Sequence, residues 1–277
     1  MSKETIAFIG GGNMTTALIG GLIADGTDPQ TLTATDPDPA KREALAARFG
    51  IRTLQDNAEA AREANVLVLA VKPQMLGSVA SELAPVLAKH KPLLISIAAG
   101  VRCDTLKGWL GGHANLALIR TMPNTPAMIQ CGATVLFAGP GVNADQRDAA
   151  EHVLRAVGLT RWVEDEGLLD AATALSGSGP AYYFLFMEAM EAAAVELGLP
   201  ADTAHLLTLQ TALGAARMAM ESSDSPAVLR HKVTSPGGTT EQALKTFEDG
   251  GLRDLVDRAL TAARDRSKEL SRILGQD

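Results

Sequence analysis

The sequence is short of aromatic residues, cysteine and basic tracts, and it contains no long apolar run. Phe, Trp and Tyr make up 4% of the 277 residues, although hydrophobic residues as a whole make up 46%. A buried core must therefore be built largely from Ala, Leu, Val and Met. The two cysteines, Cys103 and Cys131, have no metal-ligand spacing and form no disulfide framework. This usage is typical of a reducing compartment and predicts a cytoplasmic protein.

The charge and the hydropathy pattern narrow the possible partners. The formal net charge is −7 and no cluster of Lys and Arg is present, which argues against nucleic acid and anionic membranes. No apolar run approaches the roughly 18 residues that a membrane-spanning helix needs. The first residues are polar, so no signal peptide is expected. The five histidines are scattered and no metal-ligand motif is present, so no metal site is expected.

The first half of the chain alternates between short apolar runs and helical periods. Continuous apolar runs are typical of parallel strands that are buried on both faces. The alternation predicts an α/β fold with a doubly wound sheet of the Rossmann type over residues 1–163. The predicted strands are Ile6–Ile9, Thr31–Thr35, Val66–Val71, Leu93–Ala98, Asn115–Met122, Thr134–Ala138 and Thr160–Val163, and the helices predicted between them are Pro39–Phe49, Asp56–Glu63, Pro73–Lys89, Cys103–Leu110 and Ala144–Ala156.

The strand pattern stops after Val163, and the remaining residues, 164–277, predict an all-α helical bundle domain. The segment from Tyr182 to Met187 is apolar on every side of a helix, and such a helix needs neighbours all round. It is either the centre of one subunit or covered by a second one, and we expect a homo-oligomer. The predicted helices are Asp165–Ala174, Pro180–Leu197, Ala201–Glu221, Pro226–Lys232, Thr239–Glu248 and Leu252–Leu274.

The strongest local signal is the stretch Ile6-Ala7-Phe8-Ile9-Gly10-Gly11-Gly12-Asn13-Met14. An apolar strand that ends in glycines and opens directly into a helix is the pattern of a dinucleotide-binding turn. Gly10 can make the tight turn, and Gly12 leaves room for a pyrophosphate beside the helix N-terminus. Thr15 occupies the position where the pattern has a third glycine or alanine.

Further candidate cofactor residues follow the other predicted strands. Asp36 ends the second strand, where an acid can accept hydrogen bonds from the adenosine ribose of NAD. Thr35 is adjacent, Asn57 could reach the same region, and Lys41 and Arg42 lie one helical turn further on. The choice between NADH and NADPH therefore stays open.

Small residues follow two more predicted strands, in Ala70-Val71-Lys72-Pro73 and Ala98-Ala99-Gly100. Both segments lie at carboxyl ends of parallel strands, where open α/β sheets bind their ligands. We expect the nicotinamide ribose to lie beside them.

Candidate substrate groups lie in three turns. Asn124, between Pro123 and Pro126, offers a donor and an acceptor on a rigid loop. Ser176 lies in a glycine-rich turn before the most apolar helix. The loop Ser235-Pro236-Gly237-Gly238-Thr239-Thr240 presents backbone N–H groups and hydroxyls at a helix N-terminus, which is a compact site for a small carboxylate.

The candidate site has no strong base. No lysine occurs between Ser176 and Arg217, although hydroxyacid dehydrogenases with two domains of this kind need a general base near the nicotinamide. Hydroxyl and backbone donors without a base suit the reduction of an activated electrophile such as a protonated imine.

These motifs, in this order, resemble the pyrroline-5-carboxylate reductase family over nearly the whole chain. The resemblance is carried by the N-terminal glycine turn, Ala70–Pro73, the run from Ser96 to Val101, Met122–Pro126, Ser176–Tyr182 and Ser235–Thr240. It implies NADH- or NADPH-dependent reduction of 1-pyrroline-5-carboxylate to L-proline by a cytosolic homo-oligomer, dimeric through its helical domain and possibly decameric.

The resemblance also implies roles for individual residues. Hydride would reach the imine carbon, which is C5 in proline numbering, while the Thr240 hydroxyl, as the catalytic group, hydrogen-bonds the imine nitrogen. The Ser235–Thr240 loop would hold the substrate carboxylate. Cofactor contacts would come from Ile9, Gly10, Gly11, Gly12, Asn13, Met14, Thr35, Asp36, Asn57, Ala70, Val71, Lys72, Pro73, Ile97, Ala98 and Ala99.

Two other functions remain open from the sequence. One is a related imine or hydroxyacid oxidoreductase, against which the missing lysine argues. The other is a non-catalytic NAD(P)-binding protein, against which the intact Ser235–Thr240 loop argues.

Overall fold

The computed structural model describes residues 4–112 and 116–275. Within these residues the chain forms two compact units. The first contains the residues up to 178 together with those from 262 onward, and the second contains residues 179–261. The domains expected from the sequence are 1–163 and 164–277. Residues 164–178 and 262–275, which are expected in the second domain, belong to the first unit. The expected domain limits stay a prediction.

An eight-stranded sheet forms the centre of the first unit, in the order β3-β2-β1-β4-β5-β6-β7-β8. The strand order reverses between β1 and β4, which is the point where open α/β sheets bind their ligands. The strands are β1 Ile6–Ile9, β2 Leu32–Thr35, β3 Arg52–Leu54, β4 Val66–Leu69, β5 Leu93–Ser96, β6 Leu118–Met122, β7 Gly132–Ala138 and β8 Gly158–Val163.

Helices cover both faces of this sheet. The helices of the first unit are α1 Asn13–Ala24, α2 Pro39–Phe49, α3 Asn57–Glu63, α4 Pro73–Leu87, α5 Cys103–Trp109, α6 Ala144–Arg155 and α7 Leu168–Ala172. Two separate clusters of buried side chains lie on opposite faces, one containing Phe8 and Ile95 and the other Ile9 and Leu94. Alternate residues of one strand therefore serve different cores, as expected for strands buried on both faces.

The predicted α/β fold class is confirmed, and two details of the prediction are corrected. The strand β3 is missing from the prediction, because its three residues are partly exposed and carry no apolar run. The predicted helix Asp165–Ala174 is instead α7 followed by a π-helical turn, Thr173–Gly177. The predicted strand Asn115–Met122 corresponds to β6, and its first predicted residue, Asn115, lies outside the described residues.

One strand of the sheet runs against its neighbour. Strand β7 is antiparallel to β6, whereas the other pairs are parallel. The connection from Met122 to Gly132 contains only a 3₁₀ turn, Thr125–Ile129. A parallel crossover needs a dozen or more residues, so this connection can only return the chain in the opposite direction.

The second unit is helical throughout, and no strand begins after Val163 in the part of the chain that the structure describes. It contains α8 Gly179–Glu196, α9 Ala201–Glu221, α10 Pro226–Lys232, α11 Thr239–Asp249 and the first residues of α12 Leu252–Leu274. The rings of Phe186 and Phe247 lie 6.1 Å apart and connect α8 with α11. Among the described helices, none is long and apolar enough to cross a bilayer.

Candidate functional site

The glycine turn after β1 is built for close backbone approach. Gly10 has φ +106°, which favours glycine, and a Cβ there would lie 2.8 Å from the carbonyl oxygen of Ala70. Its N–H donates to the carbonyl of Thr35 at 2.9 Å. The Thr15 hydroxyl donates to the Gly10 carbonyl at 2.5 Å. Thr15, which stands where the pattern has Gly or Ala, therefore adds a hydrogen bond between α1 and the turn.

The N-terminus of α1 fits a dinucleotide pyrophosphate. Gly12 is its N-cap, and among the described side chains none caps the helix by hydrogen bonding. The first N–H groups of an α-helix have no intrahelical acceptor. A Cβ on Gly12 would meet no described atom within 4 Å, so the space beside these donors is open. An anion placed there gains both hydrogen bonds and the favourable end of the helix dipole.

Asp36 follows β2 and is bonded to the glycine turn itself. Its carboxylate accepts hydrogen bonds from the Gly11 and Asp38 N–H groups, both at 3.0 Å, and from the Lys41 ammonium at 3.3 Å. Burial raises the pKa of the Asp36 carboxyl, but the hydrogen bonds from Asp38, Gly11 and Lys41 outweigh it and hold the pKa below its usual value. The group is therefore ionised at neutral pH.

Two other candidate residues meet beside Asp36. The Thr35 hydroxyl donates to the side-chain oxygen of Asn57 at 2.6 Å. The two residues are distant in sequence, and the pairing of β2 with β3 brings them together. The Arg42 guanidinium donates to the carbonyls of Asp36 at 2.6 Å and Pro37 at 3.0 Å, in the segment that follows β2.

The segments expected beside the nicotinamide lie next to the glycine turn. Ile9, Leu69 and Ser96 are neighbours in register across β1, β4 and β5. The residues that follow them are therefore adjacent at one edge of the sheet, and the Ala70 N–H donates to the Ile9 carbonyl at 2.9 Å. Within α4, Lys72 is the N-cap and Pro73 occupies the first turn. The structure thus brings together the predicted cofactor residues, which are Ile9–Met14, Thr35, Asp36, Asn57, Ala70–Pro73 and Ile97–Ala99.

Asn124 is engaged with the protein on both sides of its amide. Its nitrogen donates to the Ser176 carbonyl at 3.0 Å, and its oxygen accepts from the Ala133 N–H at 2.8 Å. The side chain therefore joins the β6–β7 connection to the π-helical turn. Its predicted contact with substrate stays a prediction.

The π-helical turn is a feature that the sequence reading missed. The Ser178 N–H donates to the Thr173 carbonyl at 2.8 Å, and the Ser176 hydroxyl donates to the Ala172 carbonyl at 2.9 Å. A side chain on Gly177 would collide with the methyl group of Met122. Such bulges often lie at functional sites, and the dense Ser-Gly-Ser-Gly run was its only signal in the sequence.

A second missed feature is a buried ion pair. Arg120 is 3% exposed and lies 3.1 Å from Glu166, which also accepts from the Cys103 N–H at 2.7 Å. Burial, followed by the charge of Glu166, raises the pKa of the Cys103 thiol to about 12. The thiol therefore stays protonated at neutral pH and does not act as a nucleophile.

The loop Ser235–Thr240 belongs to the second unit and forms the start of α11. Gly237 has φ +71°, and the Gly238 N–H closes the turn on the Ser235 carbonyl at 3.0 Å. The Gly237 N–H donates to a carboxylate oxygen of Glu241 at 2.8 Å. The loop therefore holds a carboxylate from its own chain. Thr239 and Thr240 occupy the first turn of α11, where backbone N–H groups lack intrahelical acceptors.

Among the described residues, no group of three or more His, Cys, Asp or Glu side chains could hold a metal ion. A doubly wound sheet with this turn at its switch point defines a dinucleotide-binding protein of the Rossmann class.

Comparisons with known proteins identify the family within this class. The family model described as pyrroline-5-carboxylate reductase dimerisation matches residues 166–270, and the model described as NADP oxidoreductase coenzyme F420-dependent matches residues 5–100. The pyrroline-5-carboxylate reductase of Pseudomonas aeruginosa is 50% identical over 276 residues, covering 100% of both chains.

Solved structures agree with this match. The pyrroline-5-carboxylate reductase of Coxiella burnetii superposes with a TM-score of 0.93 at 49% identity, covering 97% of this chain and 99% of the other. The Plasmodium falciparum pyrroline carboxylate reductase with NADP bound gives 0.85 at 29% identity, covering 98% and 99%. The chain belongs to the pyrroline-5-carboxylate reductase family, and the resemblance carried by the sequence motifs is confirmed.

Proposed function

We propose that this protein reduces the C=N bond of 1-pyrroline-5-carboxylate to give L-proline, the last step of proline biosynthesis. The observation that carries the proposal is the Ser235–Thr240 loop, whose Gly237 N–H accommodates a carboxylate oxygen at 2.8 Å. The substrate has one carboxylate and, two bonds away, an imine nitrogen. A loop that binds the first group places the hydroxyl of Thr240 close to the second.

The loop residues have separate roles in this proposal. Ser235, Gly237 and Thr239 hold the substrate carboxylate through backbone N–H groups and hydroxyls. Gly238, whose N–H closes the turn on the Ser235 carbonyl, borders it without a side chain. The Thr240 hydroxyl donates a hydrogen bond to the imine nitrogen. As hydride reaches C5, the nitrogen takes up a proton that Thr240 relays from solvent along this hydrogen bond. The reaction therefore needs no general base, which agrees with the lack of lysine from Ser176 to Arg217. Asn124 and Ser176 are further substrate-binding residues in this proposal.

The residues of the first unit hold the cofactor. Bound NADH or NADPH supplies the hydride that C5 accepts. The turn from Ile9 to Met14 binds the pyrophosphate, and Thr35, Asp36 and Asn57 bind the adenosine ribose. Ala70–Pro73 and Ile97–Ala99 border the nicotinamide ribose, where the small side chains of Ala70, Ala98 and Ala99 allow close approach.

The proposed enzyme is a cytoplasmic homo-oligomer that is dimeric through its helical domain and assembles further, up to a decamer. A dimerisation model matches residues 166–270, and exposed apolar side chains concentrate in α8 and α9. Both cysteines are free thiols, which agrees with a reducing compartment. Small-molecule substrate and cofactor are the expected ligands, without nucleic acid or membrane.

The decisive experiment follows the loss of reduced-nicotinamide absorbance with 1-pyrroline-5-carboxylate, in parallel with NADH and NADPH. We expect turnover and L-proline as the product. The same assay with a keto acid that a hydroxyacid dehydrogenase reduces serves as the control, and no turnover is expected. A folded, nucleotide-binding protein that reduces no cyclic imine would overturn the proposal.

A further inference from the structure

The end of β2 places a fixed negative charge beside the cofactor turn. Asp36 is 6% exposed, and its carboxylate lies 3.0 Å from the Gly11 nitrogen, which belongs to the glycine turn itself. In a dinucleotide-binding unit the adenosine ribose lies at this strand end. A ligand group on the ribose 2′ position would therefore lie close to this carboxylate.

The carboxylate has limited room for further partners. An ionised carboxylate offers about four acceptor sites. The Gly11 N–H and the Lys41 ammonium take Oδ2, and the Asp38 N–H takes one site on Oδ1. The remaining site on Oδ1 can accept a hydrogen bond from a ribose hydroxyl, but a 2′-phosphate is largely a dianion at neutral pH and has almost no proton to donate.

The nearby cations are already engaged. The ammonium of Lys41 lies 3.3 Å from Asp36, and the guanidinium of Arg42 donates to the Asp36 and Pro37 carbonyls. Arg48, further along α2, lies over the ring of Phe49 at 4.9 Å. A 2′-phosphate would have to separate Lys41 from Asp36 before gaining a counter-charge, and it would leave that carboxylate facing it.

We propose that Asp36 makes this protein select NADH over NADPH, because its carboxylate accepts from the ribose hydroxyls and repels a 2′-phosphate. Asp36 is then a specificity-determining residue of the cofactor site. The hydrogen bond from Gly11 gives it a second task, which is to hold the glycine turn in place. The turnover part of this inference rests on the proposed function, whereas the binding part does not.

The test measures dissociation constants of NADH and NADPH by isothermal titration, with no imine present. The wild type should bind NADH more tightly by at least about tenfold. Asp36→Ser should move the ratio of the two constants towards NADPH by about tenfold or more, mainly by tightening NADPH. Asp38→Asn is the matched control, since it removes an equal charge two residues away and keeps an N-cap acceptor for Ala40. Its ratio should equal that of the wild type.

A purely structural role for Asp36 gives a different result. Losing the bond to Gly11 alone would weaken both cofactors equally and leave the ratio unchanged, which would overturn the proposal. So would wild-type protein that binds NADPH as tightly as NADH.

The wild type alone supplies a second test if Asp36→Ser does not fold. ADP should then compete for the site better than ADP that carries a 2′-phosphate, and high salt should narrow this difference by screening. Equal competition by the two would overturn the proposal. The expected binding ratio without turnover of any imine would reject the proposed function and leave the role of Asp36 intact.

Discussion

Thr240 is the residue on which the proposed chemistry depends most directly. As negative charge leaves the cofactor and reaches C5, the imine nitrogen becomes basic, so a hydroxyl that donates to it is more strongly bound in the transition state. Thr240→Ala should therefore lower kcat by about tenfold or more, which corresponds to ~1.4 kcal/mol. Initial rates at saturating substrate measure this, with Thr240→Ser as the control that keeps the hydroxyl. Unchanged kcat in Thr240→Ala would remove Thr240 from the mechanism.

Glu241 occupies part of the loop that the substrate carboxylate needs. Its carboxylate accepts from the Gly237 N–H. The substrate carboxylate therefore has to displace the Glu241 carboxylate and then binds close to that negative charge. Glu241→Ala should lower KM for 1-pyrroline-5-carboxylate by about twofold to tenfold, the range of one modest hydrogen bond, with kcat little changed.

The opposite result has a clear meaning for the same residue. If Glu241 instead clamps the loop in its binding shape, Glu241→Ala raises KM. Glu221→Gln is the control, because Glu221 carries an equal exposed charge in the second unit and forms an ion pair with Arg217, one turn away. Its KM should match the wild type.

Single residues differ in how far the sequence predicts them. The role of Gly10 is predicted by the strand–glycine–helix pattern, because it depends only on the local geometry of the turn. The hydrogen bonds of Asn124 to Ser176 and Ala133 cannot be predicted from the sequence. They join residues that are 52 and nine positions apart and that only the folded chain brings together. The contact of Glu241 is local, but a Glu in the first helical turn usually predicts only a helix cap.

At the scale of elements, continuous apolar strands are predicted well and polar or irregular ones are not. Strands β4 and β5 are buried throughout, and hydrophobic periodicity finds them. Strand β3 has partly exposed residues, so its place is decided by pairing with β2. The π-helical turn depends on the packing of Gly177 against Met122, which no local pattern contains.

The last turns of α12 offer a test of how one element is held on the first unit. Ser267 is buried and donates to the buried Asp170 of α7 at 2.7 Å. Ser267→Ala would leave that carboxylate without this donor, and should lower the free energy of unfolding by about 1–3 kcal/mol. Denaturant unfolding monitored by circular dichroism measures it.

The same helix provides the control. Ser271 lies one turn further and is also buried, but its hydroxyl has no hydrogen-bond partner among the described residues. Ser271→Ala removes an unsatisfied polar group and should leave stability unchanged or slightly raised. Equal losses in both variants would show that the Asp170 bond contributes nothing specific.

At the scale of the whole molecule, the apolar side chains of the second unit are not covered within one subunit. Helices α8 and α9 each bury a single residue, Gly179 and Ala204. Large apolar side chains are exposed instead on both helices, namely Tyr183, Phe184, Leu185, Leu206, Leu207, Leu213, Met218 and Met220. Exposed apolar surface of this extent marks an interaction surface. The sequence indicated that α8 needs neighbours on every side, but it could not tell a partner subunit from the same chain.

A charge placed on this surface should therefore reduce the size of the assembly. Phe184 is 64% exposed in a single subunit, so Phe184→Asp costs the isolated subunit little, whereas a covered, unpaired carboxylate at an interface is strongly unfavourable. Light scattering after size exclusion should show the variant as a smaller species than the wild type. The control is Leu159→Asp in β8, also exposed at 52% but in the first unit, which should keep the wild-type mass. If Phe184→Asp retains the full assembly with unchanged dissociation on dilution, α8 does not contribute to the subunit interface.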